Sequence, residues 1–363
     1  MAHGFRWYDR VQGVIMAKVQ NSPGALQALK NEIKQEALGR LYIFHGEEQF
    51  LLHHYLEQMR KVLIDELTES FNFHKLTAET FDIRSFADCV ECLPMMAEHT
   101  MVIVDDIDLF KQNEADREKI VDIISDIPEH CTVVFTYETV AWKPDKRLKK
   151  LWEALQQNGH IIEFAKQEQR DLIAWITRHF HANKKHITPD LCAYLIELTG
   201  GTMTMLSSEI SKICAYSAAE NIVKSDIDAV TEPVLDAVVF QMTDLLSQGA
   251  YGPALLKLRQ LFQMQQEPLA ILGAIGKHIR CLGAARILMD NGKNANELMR
   301  ICGLADYAAR KTMNSANKFS ASFCSKAAEY VLETDNAIKT SYDDPERLLE
   351  VLVLRLAQEA KNG

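Results

Sequence analysis

"IFHGEEQFLL", residues 43–52, joins a β-rich run to a helical pattern through a single glycine. Strand, glycine turn and helix are the outline of a nucleotide-binding loop. A working phosphate loop reads G-x-x-x-x-G-K-[ST]: the glycines let backbone N–H groups close around the phosphates, and the lysine neutralises them. Here Gly46 is followed by Glu47 and Glu48, whose carboxylates repel a triphosphate, and no lysine comes before Lys61, about four turns along the helix. The stretch keeps the shape of the motif without its chemistry. At a helix N-terminus two carboxylates suit the dipole that a phosphate otherwise occupies.

Working outward, short β-rich runs alternate with helical patterns from Leu41 to Phe164, the signature of βα units and a parallel sheet. The pattern predicts strands at 41–44, 73–79, 100–106, 131–137 and 160–164. Leu52, Tyr55, Leu56, Met59, Val62 and Leu63 share one face of the helix after the first strand. Asp82 is an N-cap for "IRSFADCVECL". After Phe164 the strand signals stop. A helix over "DLIAWITRHFHANKKH" is followed by one opened by Thr188 and Pro189 and closed by Gly200 and Gly201, then by "MLSSEISKICAYSA" and a short helix capped by Ser225. That is a helical domain of about 65 residues. From Glu232 onward, breaks at "SQGAYGP", "QQEP", "DNGKNAN" and "SYDDPERL" divide an all-helical region into about five or six helices. The expected organisation is an N-terminal extension at 1–20, an α/β domain at 21–165, a helical lid at 166–231 and a helical third domain at 232–363.

The 363 residues suit two or three domains, and 47% hydrophobic with 25% charged residues is a globular composition. A net charge of −10 argues against a protein that coats nucleic acid by itself, though not against one that meets DNA within an assembly. Eight cysteines scattered through apolar helical patterns read as reduced thiols of a cytoplasmic protein. No run reaches the ~18 apolar residues of a membrane span. Residues 1–15 lack the apolar centre of a signal peptide and read as a peripheral extension before an amphipathic helix that starts at Met16.

Several constellations could carry chemistry. Asp105 and Asp106 close the apolar strand "MVIV", where a phosphate-loop ATPase places the acids that hold magnesium and polarise water; a strand end meeting solvent is the simpler reading. Cys89 and Cys92 form a C-x-x-C with no second ligand pair nearby, which favours helix packing over zinc, and His179, His181 and His186 read as the polar end of a helix and its exit. Residues 295–316 scan like a helix-turn-helix bearing Arg310 and Lys311, yet Leu298, Ile301, Leu304, Tyr307 and Met313 supply enough apolar surface to pack the pair into a bundle. The basic run at 143–150 fits a solvated face or a contact with phosphates or an acidic partner. In "CLPMMAEHT", residues 92–100, Pro94 ends a helix and Leu93, Met95 and Met96 stand at the turn into the third strand. Such residues either pack inward or form an exposed, adaptable anchor for a partner's pocket.

An α/β domain with a phosphate-loop outline, a helical lid and a larger helical third domain is the plan of AAA+ clamp-loader subunits. "LYIFHGEEQFLL", "DKRLKKLWEALQQNGHIIEF", "EPLAILGAIGKHIRCL", "GLADYAARKTMNSANKFS" and "ETDNAIKTSYDDPERLLEVLVLRL" resemble, in that order, segments of the δ-subunit family of the bacterial DNA polymerase III clamp loader, from about Leu41 to Leu356. The resemblance implies an AAA+-like five-stranded parallel sheet with flanking helices, a lid and a C-terminal collar for oligomerisation. It implies that the chain binds and opens the sliding clamp during replication, as a non-catalytic member of a DNA-directed DNA polymerase holoenzyme with no cofactor. Its other partners would be sister subunits of the γ/τ and δ′ type, reached through the collar, and primer-template DNA only within the assembly. Met95 and Met96, supported by Leu93, stand where that family commonly inserts a leucine and an aromatic residue into the clamp. Thr204 stands where a related ATPase has an arginine for the γ-phosphate, and the chain has no Ser-Arg-Cys finger. An active phosphate-loop ATPase and a helix-turn-helix regulator are the rival readings.

Overall fold

The structure is a computed structural model and describes residues 24–304 and 306–362. The expected N-terminal extension and the expected helix start at Met16 lie outside the described residues; the first described helix, α1, runs from Ala25 to Gln35. The chain divides into two compact units, one ending at Gln167 and one running from Glu168.

The first unit contains β1 (Leu41–His45), α2 (Gln49–Leu63), α3 (Glu69–Asn72), β2 (Phe73–Leu76), α4 (Ile83–Glu91), β3 (Thr100–Asp105), α5 (Glu114–Ser125), β4 (Cys131–Tyr137), α6 (Lys149–Asn158) and β5 (His160–Glu163). All pairings are parallel, in the order β2-β3-β4-β1-β5, which is the arrangement of an AAA+-like α/β domain. A parallel sheet covered on both faces has no solvated side, so its strands are continuously apolar rather than alternating. β4 is buried along its whole length for this reason. Period two still sorts the faces. Leu41, Ile43, Val102, Val104, Val133 and Phe135 pack against Phe86 and Val90 of α4, Ile120 and Ile124 of α5 and Leu151 and Leu155 of α6. On the other face Phe44 meets Phe164 edge-on at 5.0 Å, and Tyr55 of α2 stacks on Phe164 at 5.9 Å. Strand β2 stops at Leu76 rather than at 79 because Thr77 turns the chain, accepting from Thr80 N at 3.0 Å and Phe81 N at 2.8 Å. Asp82 caps α4, accepting from the N–H groups of Arg84 and Ser85.

The second unit is helical. Its smaller part holds α7 (Gln169–Ala182), α8 (Pro189–Thr199), α9 (Met203–Tyr216) and α10 (Lys224–Val230). Thr188 and Pro189 open α8, and Gly200 ends it at φ +75°, a conformation that glycine adopts without penalty. Ser225 is not a cap: α10 begins at Lys224, and Asp226 reaches back to accept from Val223 N at 3.0 Å. His179 is not at a polar helix end either; it is fully buried 4.2 Å from the Trp175 ring.

The larger part holds α11 (Leu235–Ser247), α12 (Tyr251–Gln263), α13 (Pro268–Asp290), α14 (Ala295–Cys302), α15 (Asp306–Ala316), α16 (Ala321–Thr340) and α17 (Pro345–Asn362). Among the described residues these seven helices exceed the expected five or six because Ser320, which caps α16 through Phe323 N, adds a division after the turn at Gly303. Ile271, Ile275, Ile279 and Leu282 of α13 share one core with Leu258, Leu298, Ala309, Phe323, Leu352 and Leu356. Among the described residues no helix is long and apolar enough to cross a membrane.

Phe135, at the middle of β4 and 5.7 Å from the Phe86 ring, is the best single test of the sheet core. Phe135→Ala should lower the unfolding free energy by about 3–5 kcal/mol, measured by urea denaturation.

Candidate functional site

The nucleotide-like end of the sheet is built by the carboxyl ends of β1, β3 and β4, where ligands bind in open α/β sheets. β1 ends at His45 and α2 begins at Gln49, so only Gly46, Glu47 and Glu48 connect them. Gly46 lies at φ +127°, and a Cβ there would stand 2.3 Å from the carbonyl oxygen of Phe164. That contact is part of a backbone joint: Phe164 N donates to His45 O at 2.7 Å, and Glu48 N donates to Phe164 O at 2.9 Å. An amide at the start of α2 that could face a phosphate is thus given to a backbone carbonyl. Glu48 is buried at the N-cap position without capping the helix through its side chain, and Glu47 is exposed.

The acids of β3 are also engaged within the fold. Asp105 accepts from Thr136 Oγ1 at 2.5 Å and pairs with Lys75 Nζ at 2.5 Å. Asp106, at φ +54°, accepts from Glu138 N at 2.7 Å, Thr139 Oγ1 at 2.7 Å, Thr139 N at 3.0 Å and Val140 N at 3.1 Å. Burial raises its carboxyl pKa, but the bonds from Thr139, Val140 and Glu138 outweigh this and hold it below the ordinary value. The reading of this pair as a strand end meeting solvent is therefore corrected: Asp106 is a clamp on the loop after β4. That loop carries Trp142, whose ring lies 5.7 Å from His45, 5.6 Å from Phe110 and 4.7 Å from Tyr137, filling the same end of the sheet with apolar surface. Thr204 is an exposed residue in the first turn of α9.

The turn from α4 into β3 shows the opposite character. Leu93, Met95 and Met96 are exposed to 75%, 54% and 94%, so the inward-packed reading of this turn is wrong. It is nonetheless fastened from beneath. Asn72, the buried last residue of α3, donates from Nδ2 to Met95 O at 3.0 Å and accepts Met95 N at its Oδ1 at 2.7 Å. On the other flank His130 Nε2 meets Cys92 O at 3.2 Å, while His130 O accepts from Thr100 N at 2.7 Å. Met96 sits at φ +56°, a left-handed conformation that costs a residue with a Cβ about 1–2 kcal/mol. Such strain persists only where the surroundings over-determine it. Leaving a large apolar side chain in water forgoes about 1.5–3 kcal/mol, so this firm turn holds three of them exposed at a cost.

The remaining candidates do not join either site. Cys89 is partly buried on α4 and its thiol pKa is raised by that burial; among the described residues no group of three or more His, Cys, Asp or Glu is arranged to hold a metal. Residues 295–316 do form two helices around Gly303, but Lys311 is turned into the bundle, 2.7 Å from Glu197 and 4.2 Å from the Phe240 ring, while Arg310 pairs with Asp306. Asn72, His130, Phe164 and Trp142 carry no sequence signal of their roles. Their partners are set by chain crossings of the sheet rather than by local spacing.

Family models described as "DNA polymerase III, delta subunit" and "DNA polymerase III delta subunit, C-terminal domain" match residues 42–165 and 236–356. The chain is 22% identical over 330 residues to DNA polymerase III subunit delta of Bacillus subtilis, covering 89% of this chain and 94% of that protein. It is 22% identical over 335 residues to the probable DNA polymerase III subunit delta of Aquifex aeolicus, covering 88% and 92%. Among solved structures, the Bacillus subtilis DNA clamp loader delta protein aligns with a TM-score of 0.57 at 20% identity, over 92% of this chain and 99% of that one.

Replacing the carboxylate of Asp106 leaves three backbone N–H groups without their acceptor. Asp106→Ala should cost on the order of 2 kcal/mol at neutral pH, measured by urea denaturation. Because the folded pKa is depressed, this contribution is present above the unfolded value of 3.8 and fades as pH falls through the lower folded value, so the deficit of the variant should shrink in acid.

Proposed function

The chain belongs to the DNA polymerase III delta-subunit family, and on that premise we propose that it binds and opens the ring-shaped sliding clamp for loading on primed DNA, without hydrolysing ATP itself. The observation that carries the proposal is the fastened turn at 92–99, with Leu93, Met95 and Met96 exposed on it. Met95 and Met96 are the anchor and Leu93 its support. Methionine is unbranched and polarisable, so the pair adapts to a preformed apolar pocket.

The mechanism is mechanical. Each side chain that enters the pocket contributes about 1.5–3 kcal/mol when fully buried. That energy shifts the clamp only to the extent that the anchor binds the conformation with a weakened subunit interface better than the closed ring. A turn already held by Asn72 and His130 loses little freedom on docking, which leaves more of the burial energy for this differential.

The closed β1–α2 connection, the engagement of Asp105 and Asp106 within the fold and the uncharged Thr204 support a subunit that neither binds nor hydrolyses ATP productively. Timing would then come from sister subunits of the γ/τ and δ′ type, joined through the collar helices from residue 232 onward. Contact with primer-template DNA would arise only in that assembly, in the cytoplasm.

Met95→Ala combined with Met96→Ala should weaken binding of the purified clamp by tenfold or more, about 1.4 kcal/mol, in a chain that remains folded by circular dichroism. Parent-like affinity in that folded variant would show that the anchor lies elsewhere.

A further inference from the structure

Asn72 stands 23 residues before Met95, at the end of a four-residue helix, and its side chain is completely buried. A buried amide satisfies its polar groups where it can, and this one directs an N–H and its oxygen at a single residue of the exposed turn: Nδ2 donates to Met95 O at 3.0 Å and Oδ1 accepts from Met95 N at 2.7 Å. The pairing imitates a neighbouring strand for one residue. It fixes the peptide groups on both sides of Met95 and hands the chain to Met96 in its left-handed conformation, with the Met96 side chain out in solvent. Alanine supplies neither group, aspartate at neutral pH has no donor, and glutamine carries an additional methylene.

We propose that Asn72 is the positioning residue of the anchor: it does not touch the partner but holds the Met95–Met96 turn in the conformation that enters the clamp. The assignment rests on the reading of these methionines as the anchor. The interaction has a consequence that a purely structural asparagine lacks. Its effect on binding is transmitted through the methionines, so the two sites are energetically coupled.

The test is a double-mutant cycle on the full chain, read as affinity for the purified sliding clamp. Asn72→Ala should weaken binding about tenfold in the parent and less than twofold in a background carrying both Met95→Ala and Met96→Ala. An equal loss in both backgrounds, or none in the parent, overturns the positioning role while leaving the anchor intact. If Met95→Ala with Met96→Ala binds like the parent, the anchor reading itself fails, and the role of Asn72 with it. A second measurement uses the unaltered chain and therefore does not depend on a variant folding. The amide of Met95 should exchange its hydrogen at least a hundredfold more slowly than that of exposed Met96; comparable rates would mean that the Asn72 contact does not hold the turn.

Discussion

The Phe164 carbonyl oxygen occupies the space beside residue 46, and the architecture at that end of the sheet follows from this contact. Only glycine fits there, since a Cβ would lie 2.3 Å from that oxygen. Through the N–H and the carbonyl of Phe164 the chain leaving β5 is stitched to the end of β1 and to the start of α2 respectively. The joint completes the packing of Phe44, Tyr55 and Phe164 on one face of the sheet. It also commits the short β1–α2 connection to backbone pairing. The geometry that gives nucleotide-binding proteins their phosphate cradle here serves as a fold-closing element, with Trp142 and the Asp106 clamp covering the same end.

At the turn before β3 the economy is reversed. Most of the first unit buries its large apolar residues, yet this turn exposes three in four consecutive positions while two buried or half-buried polar side chains, Asn72 and His130, grip its backbone. Apolar exposure combined with backbone strain and internal fastening is what the proposed anchor requires. Rigidity at one end of the sheet and presentation at the turn into β3 thus come from the same device, a side chain or carbonyl from one crossing satisfying the backbone of another.

Much of this was legible in the residues. The apolar runs at 41–44, 101–104 and 133–135, alternating with helical patterns, pointed to a buried parallel sheet because a sheet covered on both faces tolerates them. The caps at Asp82 and Thr188 and the stop at Gly200 were readable because they depend on neighbours within four residues. What was not legible depends on distant partners. Nothing local distinguishes Asn72 from any surface asparagine, or His179 from a polar helix end, until Met95 and Trp175 are placed beside them. Likewise Asp106 reads as a solvent-facing acid until the loop at 138–140 folds over it. Leu93, Met95 and Met96 were ambiguous for the same reason: the sequence places them at a turn, but only the packing beneath decides which way they face.

The central claim is that this chain engages a sliding clamp through a surface already formed in the absence of nucleotide. Its most direct measurement is equilibrium titration of the purified full chain with the purified sliding clamp of the same organism, with and without ATP and magnesium. Saturable binding of the same affinity is expected in both conditions. A folded chain that fails to bind the clamp, or that binds it only when ATP is present, would contradict it.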